Sequence, residues 1–133
     1  MLRIREAIVV EGRYDKNTLS QVVDAVILET SGFGIFKDKE KLAMLREIAR
    51  RQGLVILTDA DAVYENWGTP QQRAIRHATP DELAPFAKAD GSMGPKVTAV
   101  SGYVRSRGKP AWIGALSRIE ETLAGEAGTC ISL

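Results

Sequence analysis

Three carboxylates stand where two apolar runs end: Glu11 in "AIVVEG", and Asp59 with Asp61 in "LVILTDAD". Side chains two apart on an extended segment point the same way, so Asp59 and Asp61 would face one side together. In parallel α/β sheets, ligands gather outside the carboxyl ends of the strands. If the two runs are neighbouring strands, Glu11, Asp59 and Asp61 share that rim. Carboxylates so close repel each other unless a divalent cation neutralises them, and an all-oxygen set suits Mg²⁺. Glu11 would then act as a ligand or as a general acid/base. A second chemistry lies in "GSMGPKV", Gly91 to Val97. Small residues let backbone N–H groups approach a phosphate, a helix N-terminus supplies positive potential, and Lys96 adds a formal charge. Each pattern also has a purely structural explanation. Acidic residues are common where strands emerge, and a glycine-rich turn is a good helix start.

The elements that would position these residues follow from apolar periodicity. "AIVVE" (Ala7 to Glu11), "AVILET" (Ala25 to Thr30) and "LVILT" (Leu54 to Thr58) are the continuous runs of strands covered on both faces. Between them, "KNTLSQVVDA" has the spacing of a short helix. "DKEKLAMLREIARRQG" is the clearest helix, with Asp38 as N-cap, Leu42, Leu45, Ile48 and Ala49 on one face, and Gly53 as its stop. This β-α-β-α-β order implies parallel strands with right-handed crossovers. Past Asp61, Gly68, Thr69 and Pro70 separate two extended segments, a hairpin excursion near 62–78. "TPDEL" predicts a capping box with Thr79 as N-cap, Pro80 first in the helix and Glu82 at the third position. A helix with Val97, Val100 and Val104 on its apolar face, a strand in "PAWIGA", a helix capped by Ser117 and a last strand in "GTCISL" complete the chain. The fold expected is a three-layer α/β/α sandwich, Rossmann-like, with a mainly parallel central sheet, in a single compact domain spanning 1–133.

Composition narrows the function classes. At 133 residues and 44% hydrophobic, the chain can build a real core. A net charge of +1 without a basic run argues for weak or no nucleic-acid binding. The single cysteine, Cys130, sits in an apolar run and reads as a buried, inert thiol. The sole histidine, His77, has no partner in sequence, and Trp112 falls in a strand that should be buried. No segment is long and apolar enough to span a bilayer, so a cytoplasmic setting without membrane contact is the default.

Two family resemblances share the chain. "IREAIVVEGRYDKNTLSQVVDAVILETSGFGIF" followed by "LTDAD" resembles a Toprim domain of the small ribonuclease group, whose pattern maps onto Glu11 with Gly12, Gly32 or Gly34, and Asp59 with Asp61. That resemblance implies Mg²⁺-dependent work on nucleic-acid phosphodiesters. From Gly53 to the last residue the sequence is similar to the C-terminal part of a carbamate kinase, of the amino-acid kinase fold. It implies ATP or ADP as ligand, with Lys96 against the transferred phosphoryl group. Thr58, Asp59, Tyr64, Gly91, Ser92 and Met93 would be further nucleotide contacts. The G-G-N and H-G-N-G-P-Q segments that hold carbamoyl phosphate in that family are missing.

The simplest reading of the two together is an engineered or recombined chimera: a Toprim-like half over 1–58, a carbamate-kinase-like half over 59–133, and no catalytic activity of its own. Its alternatives are Mg²⁺-dependent phosphodiester cleavage and an ATP- or ADP-binding remnant of a kinase. Helices taken from a larger sheet could leave an apolar face uncovered, and a homodimer is expected on that ground.

Overall fold

The computed structural model describes residues 2–10, 13–21, 23–25, 27–29, 53–58, 60–66, 68–88 and 93–133. In chain order these form β1 (Leu2–Arg3), β2 (Ala7–Val10), α1 (Arg13–Ser20), β3 (Val23–Asp24), β4 (Ile27–Glu29) and β5 (Leu54–Thr58). Next come β6 (Val63–Glu65), β7 (Arg73–Ile75), β8 (His77–Ala78) and α2 (Pro80–Leu83), which runs on as a 3-10 turn. The chain ends with α3 (Met93–Arg107), β9 (Ala111–Ala115), a 3-10 turn, α4 (Ile119–Leu123) and β10 (Thr129–Ile131). The helix expected from Asp38 lies outside the described residues.

One six-stranded sheet has the order β4-β2-β5-β9-β10-β8. The first four strands are parallel. β10 runs antiparallel to β9 and parallel to β8. The mainly parallel α/β architecture expected from the sequence is therefore present. β6 and β7 pair as a separate antiparallel hairpin, the excursion foreseen near 62–78.

Every residue of β2 and of β5 is buried, which explains why both runs are apolar throughout. Their side chains alternate between two cores. Ala7, Val9, Leu54 and Ile56 join Val97, Val100, Tyr103 and Val104 of α3. Ile8, Val10, Val55 and Leu57 join Leu19 of α1 and Ile119 of α4. At about 1.5–3 kcal/mol for each fully buried aliphatic side chain, both helical layers are tied to the sheet by hydrophobic burial. The ladder passes without interruption from β2 through β5 to β9, across the foreseen join between the two resemblances.

Local chemistry decides where the elements begin and end. Thr79 accepts the Glu82 amide at 3.2 Å while the Glu82 carboxylate accepts the Thr79 amide at 3.0 Å, so the capping box is complete. The helix expected over Lys16–Ala25 instead occupies Arg13–Ser20. Ser20 donates back to the Asn17 carbonyl at 2.9 Å, and the β-branched Val23 pairs with Leu2 in a two-residue strand. Within the strand expected over Ala25–Thr30, Ile27–Glu29 are described as strand. Ser117 caps nothing: Leu116–Arg118 form a 3-10 turn, and α4 starts after Arg118 with no side-chain cap. Among the described residues no helix is long and apolar enough to cross a membrane. Leu133 is their only exposed large hydrophobic.

Candidate functional site

The carboxyl end of the parallel strands collects the polar groups. β5 ends at Thr58, whose hydroxyl accepts a hydrogen bond from Lys96 Nζ at 2.6 Å. Lys96 lies in the first turn of α3 and is 1% exposed. A lysine is rarely buried to that degree, because its ammonium loses hydration that protein groups must replace. It also sits at the end of the helix where the backbone dipole is already positive. The first turn of the helix carries no acidic residue, and the Thr58 hydroxyl is one of the groups that meet the ammonium there.

The second part of the rim is the β6–β7 hairpin. Val63 buries against the α3 core, and the next residue, Tyr64, donates its hydroxyl to Asp61 Oδ1 at 2.8 Å. That hydrogen bond is the main reason the Tyr64 phenol is pushed above its ordinary value of 10.0; partial burial and the Asp61 charge add to it, and Arg76 opposes. The hairpin is tied to β10 by Thr129, which is fully buried.

Of the expected nucleotide contacts, Thr58, Tyr64, Met93 and Lys96 are described, and Thr58 and Lys96 are brought into direct contact. Met93 opens α3 and packs against its core. Asp59, Gly91 and Ser92 lie outside the described residues, as does Glu11.

For the carboxylate triad, β2 and β5 are indeed neighbours, with Val9 opposite Ile56. Only Asp61 of the three carboxylates is described; it is exposed and accepts the Tyr64 hydroxyl. Strand β5 is described as far as Thr58 and residues 60–62 as bends, with Asp59 between them outside the described residues. Among the described residues no group of three His, Cys, Asp or Glu could hold a metal.

Other residues refine the expectations. Cys130 is half-buried, and burial pushes its thiol up. His77 Nε2 lies 2.6 Å from Ser132 Oγ on the exposed edge strand, so it has a partner that the sequence did not suggest. Trp112 is half-buried against the α1–α4 core. Thr129 was not singled out. Its only signal is a hydroxyl in an otherwise apolar strand.

No protein-family model matches the chain. The carbamate kinase of Escherichia coli O6:H1 is 92% identical over 91 residues, 68% of this chain and 31% of that enzyme. That of Haemophilus influenzae is 38% identical over 120 residues, 90% of this chain and 36% of the relative. Carbamate kinase from Giardia lamblia bound to AMP-PNP superposes with a TM-score of 0.61 at 32% identity, over 83% of this chain and 33% of that chain. The chain thus spans about a third of the length of the curated relatives it matches.

These matches correct the functional expectation. A match of 120 residues in a chain of 133 begins by residue 14 at the latest, inside the stretch assigned to a Toprim half. A buried strand ending in an acid and a glycine is a general feature of parallel α/β sheets, which is why "VVEG" could suggest the wrong chemistry. The comparisons point to part of a carbamate kinase. They overturn the reading as a chimera without activity and its nuclease alternative. Over two thirds of its length the chain is homologous to the carbamate kinases.

Proposed function

We propose that this chain supplies the nucleotide-handling part of a carbamate-kinase-like phosphotransfer site, with ATP or ADP held along the carboxyl edge of the sheet. The observation that carries this reading is the buried Lys96–Thr58 pair at 2.6 Å, at the N-terminus of a long helix. Phosphoryl transfer depends mainly on positioning and on neutralising charge. Lys96 would do this at the phosphates, with the backbone of Gly91, Ser92 and Met93 beside it. Thr58 orients the ammonium, and Asp59 with Tyr64 would border the nucleoside. Mg²⁺ enters as the companion of the phosphates, in the manner usual for nucleotide sites. The carbamate side of the reaction is assigned to no residue of this chain.

Titration calorimetry of ADP and AMP-PNP into the chain and into Lys96→Ala tests this. Loss of one charge-assisted contact should weaken both nucleotides about 10- to 100-fold, with the circular dichroism spectrum unchanged. Absence of binding by the parent chain, or equal affinity in Lys96→Ala, refutes it.

A further inference from the structure

Thr129 is fully buried at the start of β10. Its hydroxyl accepts the Val63 amide at 2.9 Å and donates to the Ile75 carbonyl at 2.5 Å. Val63 and Ile75 are registered partners at the base of the β6–β7 hairpin. The hydroxyl therefore stands between an amide of one leg and a carbonyl of the other, and satisfies both. A hydroxyl has a single proton, so donating it to Ile75 leaves only lone pairs for Val63, and the direction of the clamp is fixed. Around it, the Arg76 guanidinium donates to the Gly128 carbonyl at 3.0 Å, and the Cys130 amide donates to the Arg76 carbonyl at 3.0 Å. Those two bonds hold the chain just beyond β7. The bond to Thr129 holds β6, directly before Tyr64 and shortly after Asp61.

We infer that Thr129 is a positioning residue for the nucleoside end of the site, fixing the Tyr64–Asp61 pair through β6 while Lys96 serves the phosphate end. The inference rests on the nucleotide reading above. It deepens it by separating two ligand chemistries: a nucleoside, governed from β10, and a polyphosphate, governed from α3. The separation follows from geometry, since the hydroxyl meets only hairpin backbone and Lys96 meets Thr58 of β5.

The test uses Thr129→Val, which keeps the shape and loses both bonds, and Thr129→Ser, which keeps the hydroxyl. ADP and inorganic tripolyphosphate are titrated by calorimetry, and the Tyr64 phenol is followed by NMR on chain labelled at the tyrosine ring. Thr129→Val should weaken ADP about 10-fold and leave tripolyphosphate affinity unchanged. Its Tyr64 phenol should titrate closer to 10.0, as the contact with Asp61 loosens. Thr129→Ser should restore all three readouts. Equal loss of both ligands, no rescue by serine, or an unmoved phenol would overturn the inference. Should Thr129→Val fail to fold, hydrogen exchange at the Val63 amide of the parent chain decides: protection supports the clamp, and exchange at the rate of an unstructured peptide overturns it. If the parent chain binds no ADP, the nucleotide reading falls by itself, and so does the nucleoside role given to Thr129. The phenol and amide readouts then report only whether the clamp exists.

Discussion

Strand β9 and α4 approach closely at Gly114, near the carboxyl end of the strand. A Cβ built on Gly114 of β9 would lie 2.5 Å from Thr122 Oγ1 and 2.8 Å from its Cγ2. Thr122 cannot easily yield: it is fully buried, β-branched, and donates to the Arg118 carbonyl at 2.7 Å. Gly114→Ala must therefore move the helix or strain the threonine, a fault that costs about 1–3 kcal/mol. With a urea slope of about 1–3 kcal/mol per molar, a loss of about 2 kcal/mol moves the unfolding midpoint down by roughly 1 M. Thr122→Ala alone should also destabilise, by about 1–3 kcal/mol, through the cavity and the lost hydrogen bond. Combined with Gly114→Ala it removes the atoms that clash, so the double variant should be more stable than the sum predicts by about 1–2 kcal/mol. Gly128 supplies the contrast. Its φ is +67°, and a Cβ there would lie 2.7 Å from the Ile113 carbonyl oxygen as well as from Thr122 Cγ2. Left-handed backbone adds about 1–2 kcal/mol for an L-residue, and Thr122→Ala can relieve only the side-chain part. Urea denaturation of the five variants measures all of this. A Gly114→Ala chain within about 0.5 kcal/mol of the parent, or strict additivity with Thr122→Ala, would refute the packing argument.

Two further outcomes follow from single contacts. Thr79→Ala removes the hydroxyl half of the capping box, keeping the backbone amide that the Glu82 carboxylate accepts, and should cost about 1 kcal/mol, read as a lower thermal midpoint; Thr79→Ser should restore most of it. The phenols of Tyr64 and Tyr103 are both raised above 10.0, Tyr64 chiefly by its bond to Asp61 and Tyr103 chiefly by burial. The unfolded chain therefore releases these protons first, so their stabilisation is intact below pH 10 and is lost as pH climbs through the native values. Thermal melts above pH 10 should fall less steeply for Tyr103→Phe than for the parent, and an identical slope would remove Tyr103 from that account.

What the sequence made legible was what short-range chemistry decides. Strands β2 and β5 announce themselves because a strand covered on both faces is apolar at every position. The Thr79–Glu82 box is readable because both partners lie within one turn. The shared facing of Asp59 and Asp61 presumed extended backbone beyond Thr58; residues 60–62 bend, and Asp59 lies outside the described residues. Ser117 looked like a cap, but the 3-10 turn at Leu116–Arg118 moved the start of α4 past it. Thr129 could not be found from the sequence. Its partner Val63 is 66 residues away, and a hydroxyl reaching a backbone amide leaves no periodic trace. The Lys96–Thr58 contact spans 38 residues; both residues are expected nucleotide contacts, but nothing in the sequence pairs them with each other.

The buried polar residues sharpen the case for function at this edge. They are Thr58, Lys96, Ser101, Thr122 and Thr129 among the described residues. Thr58 closes β5, and Lys96 is bonded to it. Thr129 is registered with Ile113, the middle residue of β9, and Thr122 packs on Gly114 beside it. Thr58 and Lys96 therefore meet at the carboxyl end of β5, while Thr122 and Thr129 lie along β9. A polar group withdrawn from water costs stability unless a partner is supplied. Here Thr58 and Lys96 partner each other, Thr122 reaches the Arg118 carbonyl of the 3-10 turn, and Thr129 is met by Val63 of β6 and Ile75 of β7. The proposed nucleotide reading accounts for the Thr58–Lys96 pair among them, since a ligand held at that edge needs its donors fixed in advance.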